Sequence, residues 1–193
     1  LAWGVAEEDG FLSLVEEKWN VQMINGGQPG WSSHQALLGI ERFKQLEPTK
    51  IFIGFGVRDA QPASREDRQA RPRPWIFSLN ILQALQYFLP KKELKQSTPR
   101  VQPQHFRRNL VLLRKAFPHS EVYFYAFPQV NPVTEYEQIV RDLNGKIFEG
   151  FTVEDFFVTD NIHLNEQGHK KMADKTLDWL KAISVPRATA VPP

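Results

Sequence analysis

Hydrophobic and polar positions alternate with several distinct periods along the chain. Residues 7–18, EEDGFLSLVEEK, set Phe11, Leu12, Leu14 and Val15 on one side and acidic residues in the first turn, where the helix dipole favours them. This predicts a short amphipathic helix. VQMIN at 21–25 predicts a short strand running into the turn cluster GGQPG at 26–30. Trp31 to Leu46 predicts a helix capped by Ser32 or Ser33, with Leu37, Leu38, Ile40 and Phe43 facing inward. KIFIGFG at 50–56 is a near-continuous apolar run, as a buried parallel strand requires. Residues 57–73 and 89–102 are polar, proline-bearing loops, and Pro74 opens a helix running to Leu89. Residues 103–117 form a further helix, with Phe106, Leu110, Leu113 and Phe117 on one face. EVYFYAF at 121–127 is a second strand of the buried type. A helix over 131–143, a short strand at 146–151 and a helix from Asn165 to Ile183 complete the pattern.

Alternation of short apolar strands with helices implies βαβ units around a parallel sheet. The expected class is α/β, a three-layer α/β/α domain over residues 1–185 with a Pro-rich tail at 186–193. Composition narrows the functions. The chain has 193 residues, 24 basic and 22 acidic, a net charge of +2 too balanced to argue for nucleic acid or a membrane surface. No run approaches the ~18 to 20 apolar residues of a membrane span. There is no cysteine, which removes disulfides, thiolate metal sites and a cysteine nucleophile together, without fixing a compartment. No His/Asp/Glu set has metal-ligand spacing, and neither phosphate-binding glycine fingerprint is present. No metal and no cofactor are therefore expected. The two Met residues, Met23 and Met172, are internal, so Leu1 is read as preceded by further chain; no signal peptide is legible.

In open parallel sheets, ligands bind beyond the carboxyl ends of the strands. Three segments fall at such ends: Asn25-Gly26-Gly27-Gln28-Pro29-Gly30, Gly56-Val57-Arg58-Asp59, and Asp160-Asn161-Ile162-His163-Leu164-Asn165. The glycine turn offers unobstructed backbone N–H groups suited to an oxyanion, or is simply a tight turn. Asp160 and His163, three apart in a turn before a helix, are spaced so that a carboxylate can fix an imidazole tautomer and leave the other nitrogen as a general base. A capping Asp beside a surface His is the other reading of the same spacing.

Together the three segments resemble the SGNH, or GDSL-type, hydrolase superfamily. Asn25 and Gly30 fit its Asn-x4-Gly block, Gly56-Val57-Arg58-Asp59 stands at its Gly-x-Asn-Asp block, and Asp160-x-x-His163 with Gly168 beyond it matches its last block. The resemblance implies a flavodoxin-like fold and hydrolysis of a small-molecule, glycan or lipid ester by a Ser-His-Asp mechanism. His163 is then the general base, Asp160 its orienting partner and the Gly30 N–H an oxyanion donor. Asn25, Asp59 and His34 are implied as neighbours of the substrate. The family's serine lies in a Gly-Asp-Ser block. Leu1-Ala2-Trp3-Gly4-Val5 looks like the stretch that normally comes after that serine, so strand and serine are expected upstream of Leu1. Arg58 departs from the family's oxyanion Asn and either supports the oxyanion, binds an anionic substrate group or pairs with an acidic neighbour such as Asp59. The alternative to an enzyme is a catalytically impaired domain of this type that binds a carbohydrate or a protein. Arg65, Arg68, Arg71, Arg73, Lys91, Lys92, Lys95 and Arg100 crowd the two loops, as a rim for an anionic substrate or as a solvated surface. His105, His119 and His169 are expected at the surface.

Overall fold

β-Branched and aromatic residues at Ile51, Phe52 and Ile53, and again from Val122 to Tyr125, make the two strands around which one half of the molecule is built. In this computed structural model, residues 5–63, 65–69, 98–130 and 134–184 are described. The chain divides into two compact units. One comprises Leu1–Pro29, Phe127–Pro132 and Lys146–Pro193, the other Gly30–Ala126 and Val133–Gly145. The predicted helix over 74–89, most of the two charged loops, residues 1–4 and the 186–193 tail lie outside the described residues.

In the second unit, β1 (Lys50–Gly54) runs parallel to β4 (Glu121–Ala126), in register from Lys50 opposite Glu121 to Gly54 opposite Tyr125. Gly54 is required at its place, because a Cβ there would lie 2.3 Å from the Tyr125 ring. A parallel pair needs a long connection, and part of it is α5 (Pro103–Lys115), which starts on a proline at its first turn. Its stripe of Phe106, Leu110 and Leu113 is buried, each side chain contributing about 1.5–3 kcal/mol relative to exposure. The stripe packs towards α2 (Ser33–Leu38) and α6 (Thr134–Asp142), with the Phe106 and Tyr136 rings 5.1 Å apart. The class is therefore α/β with parallel strands, as the alternation predicts.

Three expectations for this unit are corrected. The helix predicted over 31–46 is two short ones, α2 and α3 (Glu41–Lys44), because Gly39 caps the first and sits under the Trp31 ring. Leu38, expected inside, is 75% exposed as a result. The first charged loop contains a helical turn, α4 (Val57–Ala60), and the strand β2 (Pro62–Ala63); the latter pairs antiparallel with β3 (Thr98–Pro99) from the second loop. His105 is not a surface residue: its ring is largely buried, with Nδ1 3.2 Å from the Glu66 carboxylate.

The first unit is built on α1 (Phe11–Trp19) and the long α7 (Glu166–Ser184). Val15 of α1 and Met172 and Ala173 of α7 are buried. The Phe11 N–H donates to His169 Nδ1 at 3.2 Å, and the two rings stack with centroids 6.1 Å apart. His169, expected at the surface, is thus part of the core. The strand predicted over 146–151 is shorter, β5 (Lys146–Ile147). The strand predicted at 21–25 is absent: the Met23 N–H bonds the Glu16 carboxylate instead of a ladder, and Ile24 is 60% exposed.

Candidate functional site

The segment leading into α7 is held by its own backbone. Phe156 and Leu164 form an antiparallel bridge, and the Phe157 N–H donates to the His163 carbonyl at 2.9 Å. The Asp160 and Asn161 N–H groups both reach the Phe157 carbonyl, and Asn161 takes the left-handed conformation (φ 54°) that asparagine tolerates. Asn165 then closes the turn: its Oδ1 caps α7 by accepting from the Gly168 N–H, while its Nδ2 donates to the Glu154 and Phe156 carbonyls. Gly168 is needed because a Cβ there would fall 2.0 Å from the Asp155 carbonyl oxygen.

Within this frame the side chains of Asp160 and His163 meet. Asp160 Oδ1 accepts the Ile162 and His163 N–H groups at 2.8 and 3.0 Å, and Oδ2 lies 2.7 Å from His163 Nδ1. The His163 backbone N–H, then its imidazole, then the Ile162 N–H hold the Asp160 carboxyl down to about 2. Asp160 is therefore a carboxylate at any ordinary pH. An ionised carboxylate on Nδ1 selects the tautomer with its proton there, which puts the lone pair on Nε2. Such a pair can act as an oriented general base.

The second unit holds most of the other candidate residues. Asp59 is fully buried: Oδ1 accepts the Ser33 N–H at 2.9 Å and the Ser33 hydroxyl at 2.5 Å, and Oδ2 accepts the Gly56 N–H at 3.1 Å. Asn109 Nδ2 donates to the same Ser33 hydroxyl at 2.9 Å. Burial raises the Asp59 pKa, and these hydrogen bonds only partly oppose it. Tyr136, whose hydroxyl donates to the Val101 carbonyl, is pushed up by burial and by the Asp59 charge. The buried Asp59 carboxylate ties α2 to the Gly56 turn. Arg58 does not pair with Asp59, since its Nη1 donates to Gln61 Oε1 at 2.9 Å. Ser32 caps α2 in a reciprocal box with Gln35, and His34 sits half-buried on that helix.

Gly30 is exposed at φ +71°, and nothing lies within 4 Å of where its Cβ would be. Its carbonyl accepts Arg100 Nη1 at 2.8 Å. Arg100 is the residue that sequence reasoning passes over as one of many loop charges. Its other nitrogens reach Gln35 and both oxygens of Asp67, and Asp67 in turn accepts the Ser32 hydroxyl at 2.5 Å. No local signature marks this cluster; only the Ser-x-x-Gln box at 32–35 is legible in advance. Asn25, in the first unit, is exposed and accepts the Gly27 N–H in a local turn.

Asp160, His163 and Asn25 thus belong to one unit, and Gly30, His34, Arg58 and Asp59 to the other. Among the described residues, no group of three or more His, Cys, Asp or Glu is placed to hold a metal ion, and no helix is long and apolar enough to cross a membrane. No family model matches the chain, and no curated protein matches its sequence.

Proposed function

We propose that the chain is an ester hydrolase of the SGNH type, with the three-layer, flavodoxin-like architecture of that superfamily. The observation that carries the reading is the Asp160–His163 pair: an aspartate whose first oxygen is fixed by two backbone N–H groups and whose second meets Nδ1 at 2.7 Å. His163 takes the proton of a serine hydroxyl as that oxygen attacks the ester carbonyl, and gives it to the departing alcohol. It then takes a proton from the water that frees the acid and returns it to the serine. Asp160 holds the tautomer and stabilises the imidazolium. The attacking group is the serine hydroxyl that the resemblance implies. A small-molecule, glycan or lipid ester is the substrate class.

The second reading is a binding domain of the same type with impaired catalysis. Arg58 favours it: a charged side chain engaged with Gln61 replaces the family's short neutral donor. A fluorophosphonate probe applied to the full chain separates the two. The enzyme reading expects a serine adduct that is lost in His163→Ala, with p-nitrophenyl acetate hydrolysis lost in parallel. No adduct in a folded protein with His163 intact would leave the binding reading.

A further inference from the structure

We infer that Asn165 is a positioning residue for the Asp160–His163 pair, acting through the peptide between Phe156 and Phe157. The role rests on the ester-hydrolase reading only for its use in catalysis.

A residue that merely caps a helix needs one acceptor, and Ser or Asp supplies it as well as Asn. Asn165 uses its Oδ1 in that way, accepting the Gly168 N–H at 3.0 Å. Only Asn among these three has an NH2 group to give at the same time. Its Nδ2 donates to the Glu154 carbonyl at 2.7 Å and to the Phe156 carbonyl at 3.0 Å. Its backbone N–H takes the carbonyl between them, that of Asp155, at 3.0 Å. One residue thus holds three consecutive carbonyls of the strand that leads into the Asp160–His163 turn.

The Phe156 carbonyl and the Phe157 N–H belong to a single planar peptide group. That N–H donates to the His163 carbonyl at 2.9 Å. No rotatable bond therefore lies between the oxygen that Asn165 holds and the N–H that holds His163. Phe157 serves the aspartate as well, because its carbonyl accepts the Asp160 N–H at 3.2 Å. Both members of the pair hang from Phe157, one on each side. The strand is also braced from α7: the buried Asp155 carboxylate accepts Lys171 Nζ at 2.7 Å and the Thr152 N–H at 2.8 Å. All of these residues lie in one compact unit. The alignment at stake is the 2.7 Å contact of Asp160 Oδ2 with His163 Nδ1, which fixes the tautomer that leaves the Nε2 lone pair free.

The test uses the full chain with Asn165→Asp and Asn165→Ser. Both keep an oxygen able to cap α7, and neither has the NH2 group. Far-ultraviolet circular dichroism and hydrogen exchange of the Gly168 amide should therefore stay at wild-type values. The ring ¹⁵N shifts of His163 are read at about pH 9, above the ordinary imidazole range. Wild type should show the proton on Nδ1, and the variants a mixture of the two tautomers. Misplacing a catalytic group by about 1 Å costs on the order of 10² in rate, so kcat on p-nitrophenyl acetate should fall about tenfold to a hundredfold, with KM within about twofold. A purely structural role would lower stability without moving the tautomer or splitting kcat from KM. Asn165→Ser is read alone if Asn165→Asp fails to fold. A retained Nδ1–H tautomer in the folded variants overturns the positioning of the pair, whether or not the protein hydrolyses esters. Mixed tautomers with unchanged kcat overturn its use in catalysis. A wild-type protein with no serine adduct and no turnover overturns the hydrolase reading and that use with it, while the tautomer still decides the positioning.

Discussion

Replacing Asp59 with Asn changes one oxygen to an NH2 and leaves the volume of the side chain almost untouched. The carboxylate accepts from the Ser33 N–H and hydroxyl on one oxygen and from the Gly56 N–H on the other. An amide has one acceptor oxygen, so whichever way it turns, the NH2 faces a buried backbone N–H, that of Ser33 or that of Gly56. A buried donor without an acceptor costs about 1–3 kcal/mol. Against this, the amide escapes the burial penalty that raises the Asp59 pKa. A raised pKa means that the folded state binds the proton more tightly than the unfolded state. Stability from this group is therefore fully present below the ordinary carboxylate pKa and declines as pH rises through the raised one. The net loss in Asp59→Asn should be about 1–2 kcal/mol at neutral pH, growing as pH falls into the Asp59 titration. Urea unfolding monitored by circular dichroism measures it, as a lower midpoint with an unchanged slope. Asp174→Asn, which removes an exposed ion pair with Lys18, is the control and should shift stability by less than about 0.5 kcal/mol. The reasoning fails if Asp59→Asn is as stable as that control, or if its deficit shrinks in acid.

Gly168→Ala drives a methyl group into the Asp155 carbonyl and should lower stability by about 1–3 kcal/mol, seen as a melting temperature several degrees lower. His169 is kept neutral by burial, which lowers its pKa; its contribution is therefore lost as pH drops below about 6.5. Because an Asn can accept the same Phe11 N–H, His169→Asn should flatten the stability profile between about pH 5 and 7 in urea titrations. For Asp160, held down to about 2, the contribution is present above about 4 and lost as pH falls towards 2, and Asp160→Asn should erase that acid limb of the melting curve. On the proposed ester-hydrolase reading, Arg58→Asn puts a short neutral donor at this position and should raise kcat/KM on p-nitrophenyl acetate about tenfold; unchanged or lower turnover would show that Arg58 does not stand in the way.

The elements legible in the sequence are those whose apolar residues pack as their period demands. The stripe of α5, the runs of β1 and β4 and the long α7 are of this kind, because burial of one face decides them. VQMIN at 21–25 fails for the opposite reason. Its β-branched residues fit a strand, but a strand exists only with a ladder partner, and here the Met23 amide is taken by the Glu16 side chain. The helix over 31–46 breaks at Gly39, whose missing side chain leaves the room that the Trp31 ring fills. The site shows the same division. Asp160 and His163 are neighbours by local turn geometry, so three-residue spacing is enough to pair them. Asp59 and Ser33 are 26 residues apart and Arg100 and Asp67 are 33 apart, and no local rule joins them. Hence the buried tie that Asp59 makes to Ser33 is not legible in the sequence.

The stacking of Phe11 on His169 has a consequence for how the protein is made. These two residues are 158 positions apart, and bringing such distant points together costs roughly 4–5 kcal/mol of chain entropy. On the ribosome, the stretch from Gly30 to Gly145 is complete before any of α7 has been synthesised. Helix α1 must then wait, its Val15 face unpartnered, until α7 has emerged. An isolated nine-residue helix is marginal in water, so α1 should stay largely unfolded during that interval and form only on docking to α7. Synthesis therefore carries a window in which the α1 segment is open to chaperones and proteases, and the window closes only when its partner helix arrives.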